Sequence, residues 1–151
     1  MSPARAAWCL LGATLGTTVA LDQALKAIVV SSLELRERDP VLPGIDLTYI
    51  RNEGVAFGAL DDGGTAIVVG TALALTLLVL YFALHATRRW LWLPVGVLLG
   101  GAFGNLADRV RDGAVIDYVD PTFWPAFNLA DAAIVVGLLG LLYAVEAADS
   151  S

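Results

Sequence analysis

The chain has 151 residues, of which 58% are hydrophobic and only 16% charged, with a mean hydropathy of +0.73. That is too apolar for an ordinary soluble domain, and it points to one integral membrane unit over residues 1–151. A net charge of -6, with nine Lys and Arg scattered among acids, offers no basic face to phosphate and excludes nucleic acid as a partner.

Four apolar stretches, each near the ~20 residues that a bilayer core demands of a helix, set the order of elements. The first covers about residues 6–30 and carries Asp22 and Lys26 near its far end. Its opening, Arg5 before an apolar run with small residues at Thr17–Ala20, has the outline of a cleavable secretory signal. The apolar pattern resumes at Ala24 and reaches Val30, which is long enough for a permanent signal anchor. Cys9, the single cysteine, cannot make an internal disulfide and reads as a small packing residue.

Residues 31–64 are dense in charges and turn formers, among them Glu34, Arg36, Asp39, Pro40, Pro43 and Gly44, and belong in water or at the headgroups. Within them Ile45–Ile50 is β-branched and loosely alternating, and Val55–Phe57 follows an Asn-Glu-Gly turn signal, which together predict a small sheet. The second apolar stretch, 65–84, contains no charge. The third, 90–106, contains Pro94 and is rich in glycine at Gly96, Gly100, Gly101 and Gly104, which lets a neighbouring helix approach closely. Residues 107–126 bring an Asp112-Gly113 turn, a strand-like Ala114–Val119, and Pro121 and Pro125 framing Phe123 and Trp124, aromatics suited to a membrane interface. The fourth stretch, 127–145, opens with Asn128 and Asp131.

With four spans, the loops 31–64 and 107–126 share one side of the membrane. Asp22, Lys26, Asn52, Asn105, Asp108, Arg109, Asp117, Asn128 and Asp131 all gather at that boundary. The opposite face offers the N-terminus, His85–Arg89 and an acidic tail. This is a one-sided site rather than a path across the bilayer. Counting Lys and Arg does not orient it: Arg5, Arg88 and Arg89 mark the bland face, and five arginines interleaved with acids mark the polar one.

Asp117 and Asp131 carry the chemistry. Carboxylates so near hydrocarbon cost several kcal/mol if charged and unpaired. A serine nucleophile needs a nearby base, yet the only histidine, His85, belongs to the other face, Cys9 is equally remote, and zinc would want His or Cys ligands. Two close carboxylates cannot both ionise cheaply, so the pair shares a proton and can activate water against a carbonyl, as in the soluble aspartic proteases. The supporting residues have simpler alternatives. Asp22 and Lys26, four apart, can neutralise each other on a helix. Asn52, Asn105 and Asn128 can be caps or turn formers, and Asp108 can pair locally with Arg109. Gly54 and Gly104 serve backbone geometry and helix contact.

The runs Asp22-Gln23-Ala24-Leu25-Lys26, Asn52 through Gly58, Gly100 through Arg109, Val115-Ile116-Asp117-Tyr118 and Phe127-Asn128-Leu129-Ala130-Asp131 resemble, in order and spacing, the signature blocks of lipoprotein signal peptidase (signal peptidase II). One departure, Val55 where alanine is common, touches nothing catalytic. The resemblance implies an all-α membrane aspartyl protease with four transmembrane helices, a small periplasmic β-cradle and a short interfacial helix or loop. It implies a bacterial inner-membrane location, cytoplasmic termini, no cofactor or metal, and a monomer. The substrate is then a diacylglyceryl-modified prolipoprotein, cut just before the lipidated cysteine, with its acyl chains among the membrane lipids. Asp117 and Asp131 take the catalytic positions, Asn52 and Arg109 bind the substrate backbone with Asn105 and Asn128 beside them, and Asp22, Lys26, Asp108, Gly54 and Gly104 support.

Two other classes compete. A small transporter would place ionisable groups near the midplane, often with repeated halves, and no repeat is visible. An assembly protein could hold a hard divalent cation with the Asn and Asp oxygens of one face, and would be sensitive to chelators.

Overall fold

A computed structural model describes residues 1–54 and 63–149, in the order α1 (Pro3–Ser32), β1 (Arg38–Leu42), β2 (Ile45–Asn52), α2 (Gly63–His85), α3 (Trp92–Asp112), β3 (Val115–Pro121) and α4 (Leu129–Asp149). The molecule is mostly helical, with one antiparallel sheet of order β1-β2-β3. Among the described residues three helices are long and apolar enough to cross a membrane: Pro3–Ser32, Thr65–His85 and Leu129–Ala147. α3 has the length, but its last two turns carry Asn105, Asp108, Arg109, Arg111 and Asp112.

α3 is the centre of the bundle, packed against α1, α4 and α2. Its glycines permit this. A Cβ at Gly100 would stand 2.5 Å from Thr18 Cβ of α1, and one at Gly101 would collide with the Ala130 carbonyl oxygen of α4. Backbone therefore meets backbone on two sides of α3, as small residues allow between membrane helices. Leu91, Val95 and Leu99 fill the remaining core with Phe82.

The third apolar stretch yields a helix that continues six residues past 106, because nothing before Gly113 breaks it. Gly113 adopts the left-handed conformation (φ 73°) and its N–H closes the last turn on Arg109 O at 3.0 Å. The fourth stretch starts its helix at Leu129 rather than 127, since Phe127 is drawn into a bridge with Val119. The expected strands appear as β2 and β3. β1 was not foreseen, because it contains Pro40; an edge strand tolerates that residue, as only one side of it must pair. Val55–Phe57, expected to extend the sheet, lies outside the described residues.

Candidate active site

Asp117 sits in the middle of β3, opposite Ile50 of β2. Two residues along, Asn52 faces Val115, so its side chain emerges on the same face as Asp117. Asn52 Nδ2 donates to Asp117 Oδ2 at 2.9 Å. Its amide oxygen is fixed by the Gly54 N–H at 2.9 Å, in a turn where Gly54 takes φ 73°. Asp117 is 2% exposed although it carries a carboxyl group. Burial pushes its pKa up to about 6, the Asn52 hydrogen bond opposes this, and the charge of Asp131 reinforces it.

Asp131 belongs to the first turn of α4, and that turn is tied to three other elements. Asn128 caps it: Asn128 Oδ1 accepts the Asp131 N–H at 2.9 Å while Asp131 Oδ2 accepts the Asn128 N–H at 3.2 Å, the reciprocal arrangement of a capping box. The Leu129 N–H goes to the Tyr118 hydroxyl at 3.0 Å and the Ala130 N–H to Asp22 Oδ1 at 3.1 Å. Thus the N–H groups that every helix start leaves unpaired are taken by side chains of β3, α1 and the cap itself. Asn128 also reaches Asp117 Oδ1 with its Nδ2, at 2.8 Å. A single residue thereby touches both acids.

Beneath the acids lies a buried charged cluster. Lys26 is 1% exposed and Asp22 and Asp108 are 0% exposed. The Lys26 ammonium donates to Asn105 Oδ1 at 2.9 Å and forms ion pairs with Asp22 Oδ2 at 2.8 Å and Asp108 Oδ2 at 2.7 Å. Arg111 meets Asp108 Oδ1 at 3.2 Å and also pairs with Asp112 Oδ2 at 2.7 Å. Lys26 and Asn128 Nδ2, the latter at 3.1 Å, both donate to the Asn105 oxygen and so set which way its amide faces. Asn105 Nδ2 is left to donate to Asp131 Oδ1, at 2.8 Å. Every oxygen of Asp117 and Asp131 accordingly accepts one N–H and keeps lone-pair capacity for a water or a substrate. The amide oxygens of Asn105 and Asn128 are turned away toward donors, which does not suit a hard cation.

The signal peptidase (SPase) II family model matches residues 14–146. The chain belongs to the signal peptidase II family. It is a membrane-associated peptidase. Similar curated proteins are lipoprotein signal peptidases of Syntrophotalea carbinolica, 42% identical over 144 residues (89% of this chain, 88% of the relative), and Pelotomaculum thermopropionicum, 43% identical over 127 residues (83% and 84%). That of Halothermothrix orenii is 38% identical over 120 residues (79% and 83%). A bacterial membrane enzyme solved by the in meso method at 1.9 Å superposes with a TM-score of 0.83 at 28% identity, over 89% of this chain and 91% of that one. Another, solved at 2.3 Å, gives 0.80 at 28% identity over 93% and 89%.

Within this peptidase, the expected site residues Asp22, Lys26, Asn52, Asn105, Asp108, Asp117, Asn128 and Asp131 share one continuous hydrogen-bond network. Arg109 stands apart from it: among the described residues its only side-chain bond is from Nη1 to the Asn105 carbonyl of its own helix, at 3.4 Å. The local pair of Asp108 with Arg109 does not form. Neighbouring helix residues point about 100° apart, and Asp108 turns inward to Lys26 and, one turn on, to Arg111. Gly104 lies where a Cβ would stand 2.5 Å from Asp22 Oδ2, so it clears room for the cluster.

Two contributors escaped the sequence. Gln23 Nε2 donates to Asp108 Oδ1 at 2.9 Å while its oxygen accepts from Arg111 at 3.1 Å. Tyr118 caps α4. Both are in the matched motifs, beside the acids, and only their partners, far away in sequence, reveal what they hold.

Proposed function

We propose that this signal peptidase acts on prolipoproteins as an aspartyl endopeptidase, with Asp117 and Asp131 as the catalytic pair, cutting just N-terminal to a diacylglyceryl-modified cysteine. What carries this reading is the bridging of two carboxylates, from β3 and α4, by the one residue Asn128. Two acids so placed hold one proton between them. Asp117, buried and pushed up to about 6, is the better holder of that proton. Asp131, in the first turn of α4, sits where the helix end favours an anion.

In the mechanism, Asp131 takes a proton from a water that attacks the scissile carbonyl, while the Asp117 hydroxyl hydrogen-bonds the carbonyl oxygen and gives up its proton as the tetrahedral intermediate forms. Collapse of that intermediate breaks the C–N bond. The cysteine nitrogen takes a proton from Asp131, and the hydroxyl proton of the intermediate returns to Asp117, so the pair ends with the one proton it began with. Asn105 and Asn128 hold the acids in place, and Lys26, Asp22, Asp108 and Gly104 hold them in turn. Asn52 and Arg109 bind the substrate backbone; Arg109 is half-buried with most of its donors uncommitted among the described residues.

α3, roughly 30 Å long at 1.5 Å per residue, is read as a fourth span, since it is packed among the three apolar helices. Four spans put both termini on one side of the membrane and the sheet and site on the other, and the family resemblance supports reading these as the cytoplasmic and periplasmic faces of a bacterial inner membrane. There water reaches the acids while the acyl chains of the substrate stay in the bilayer. The protein is read as a monomer.

The test expresses Asp117→Asn and Asp131→Asn separately in cells lacking the activity and follows a lipid-modified precursor. Each is expected to slow cleavage at least ~10²-fold, the lower end of what a general acid or base contributes. Normal processing by either variant at equal protein level would refute the pair.

A further inference from the structure

The end of the bundle remote from Asp117 and Asp131 carries a second feature. A groove of about 650 Å³ runs between the start of α3 and the second half of α4, well inside the range of roughly 300–1,000 Å³ typical of ligand sites. Its floor is where α4 lacks side chains: a Cβ on Gly140 would stand 3.0 Å from Pro94 Cβ. Its walls are apolar, formed by Leu93, Val97, Val136 and Tyr143, and its rim is Arg88, Arg89 and Trp90.

The rim is the turn that joins α2 to α3. Trp90 holds φ at 63°, a costly conformation for an aromatic residue, and is 57% exposed. The Arg89 guanidinium lies 5.9 Å from the centre of its ring. Arg88 donates to the Tyr81 hydroxyl at 3.3 Å, and neither arginine enters an ion pair among the described residues. The second half of α4 carries Glu146 toward the same end.

We infer that this groove holds an anionic phospholipid, with an acyl chain along the Gly137–Gly140 floor and the phosphate at Arg88 and Arg89. Guanidinium groups match phosphate oxygens two bonds at a time, and basic pockets between membrane helices select anionic headgroups. The competing occupant, a signal peptide, begins with a positively charged region that would meet two arginines of like sign. The inference needs the helices to lie in a bilayer and is independent of the dyad chemistry.

A chain with Trp90 as sole tryptophan (Trp8→Phe, Trp92→Phe, Trp124→Phe) is titrated in nanodiscs with phosphatidylglycerol or phosphatidylcholine brominated on the acyl chains, which quench a nearby indole. Phosphatidylglycerol is expected to quench at the lower mole fraction. Arg88→Gln with Arg89→Gln is expected to erase about fivefold of that preference per arginine, roughly thirtyfold together. Native mass spectrometry of retained lipid repeats the comparison without tryptophan substitutions. Prolipoprotein cleavage in phosphatidylcholine is expected to be unchanged in the double variant, which shows that it folds. Equal quenching by both lipids, or a preference that survives the double substitution, would overturn the site. Displacement of the lipid by a prolipoprotein signal peptide, or by soluble glycerol phosphate, would equally overturn it.

Discussion

Replacing Lys26 by Met tests the buried cluster most severely. The substitution keeps the apolar stem and deletes an ammonium that pairs with Asp22 and Asp108, at 2.8 and 2.7 Å, and donates to Asn105 at 2.9 Å. Asp108 retains Arg111 at 3.2 Å, whereas Asp22 is left with N–H donors and no cation. Removing one partner of a buried ion pair costs about 3–5 kcal/mol, against a total stability of roughly 5–15 kcal/mol for a typical domain. Lys26→Met with Asp22→Asn removes the stranded charge, and an amide oxygen at 22 can still accept the Ala130 N–H, so at least about half the loss should return. Cleavage should return only in part, because the Asn105 oxygen keeps Asn128 Nδ2 at 3.1 Å but loses the Lys26 ammonium that shares in orienting the amide toward Asp131. Equilibrium unfolding in detergent and prolipoprotein cleavage, measured on both variants, separate the two effects. A loss below about 1 kcal/mol for Lys26→Met, or a double variant no more stable than the single, would refute the charge argument. Full kcat in the double variant would refute the positioning of Asn105.

Tyr118→Phe removes the acceptor of the Leu129 N–H and should cost about 1 kcal/mol, with kcat falling more than KM changes; steady-state kinetics and a melting curve check both. Gly101→Val, whose branches would run into the Ala130 carbonyl, should prevent α3 and α4 from packing and abolish folded protein in detergent extracts, while Gly12→Val, in open space on α1, should be tolerated. Asp117 is raised from 3.8 to about 6 in the fold, so between those values the native chain binds more protons than the unfolded one and stability falls as pH rises, by about 3 kcal/mol in all. Asp117→Asn should therefore be more stable than the parent at pH 7, with the gain vanishing near pH 4, as followed by thermal melts across that range. The same proton is needed for chemistry, so kcat/KM is expected to fall as pH rises through about 6 in the free enzyme; a profile flat from 5 to 8 would exclude Asp117 as the proton holder.

The acids were legible because polar groups beside hydrocarbon stand out and because no histidine or cysteine shares their side of the chain. The helices were legible for a similar reason: an uncharged run such as 65–84 has few other fates. Boundaries were not. α3 outlasts its apolar stretch because an inward Asp108 is neutralised by Lys26, 82 residues earlier, which no local pattern could announce. β1 holds a proline that only an edge position excuses.

Sequence by itself determined the solvent this chain lives in, the family to which it belongs and the two carboxylates that matter, since these depend on composition, motif order and residue type. Tertiary structure decided which partner each polar group takes: Arg111 over Arg109 for Asp108, the Tyr118 hydroxyl for the start of α4, and Asn128 as the link between the two acids. The physical reason is range. A hydrogen bond is worth something only within about 3 Å, and the groups it joins here lie up to 108 residues apart along the chain.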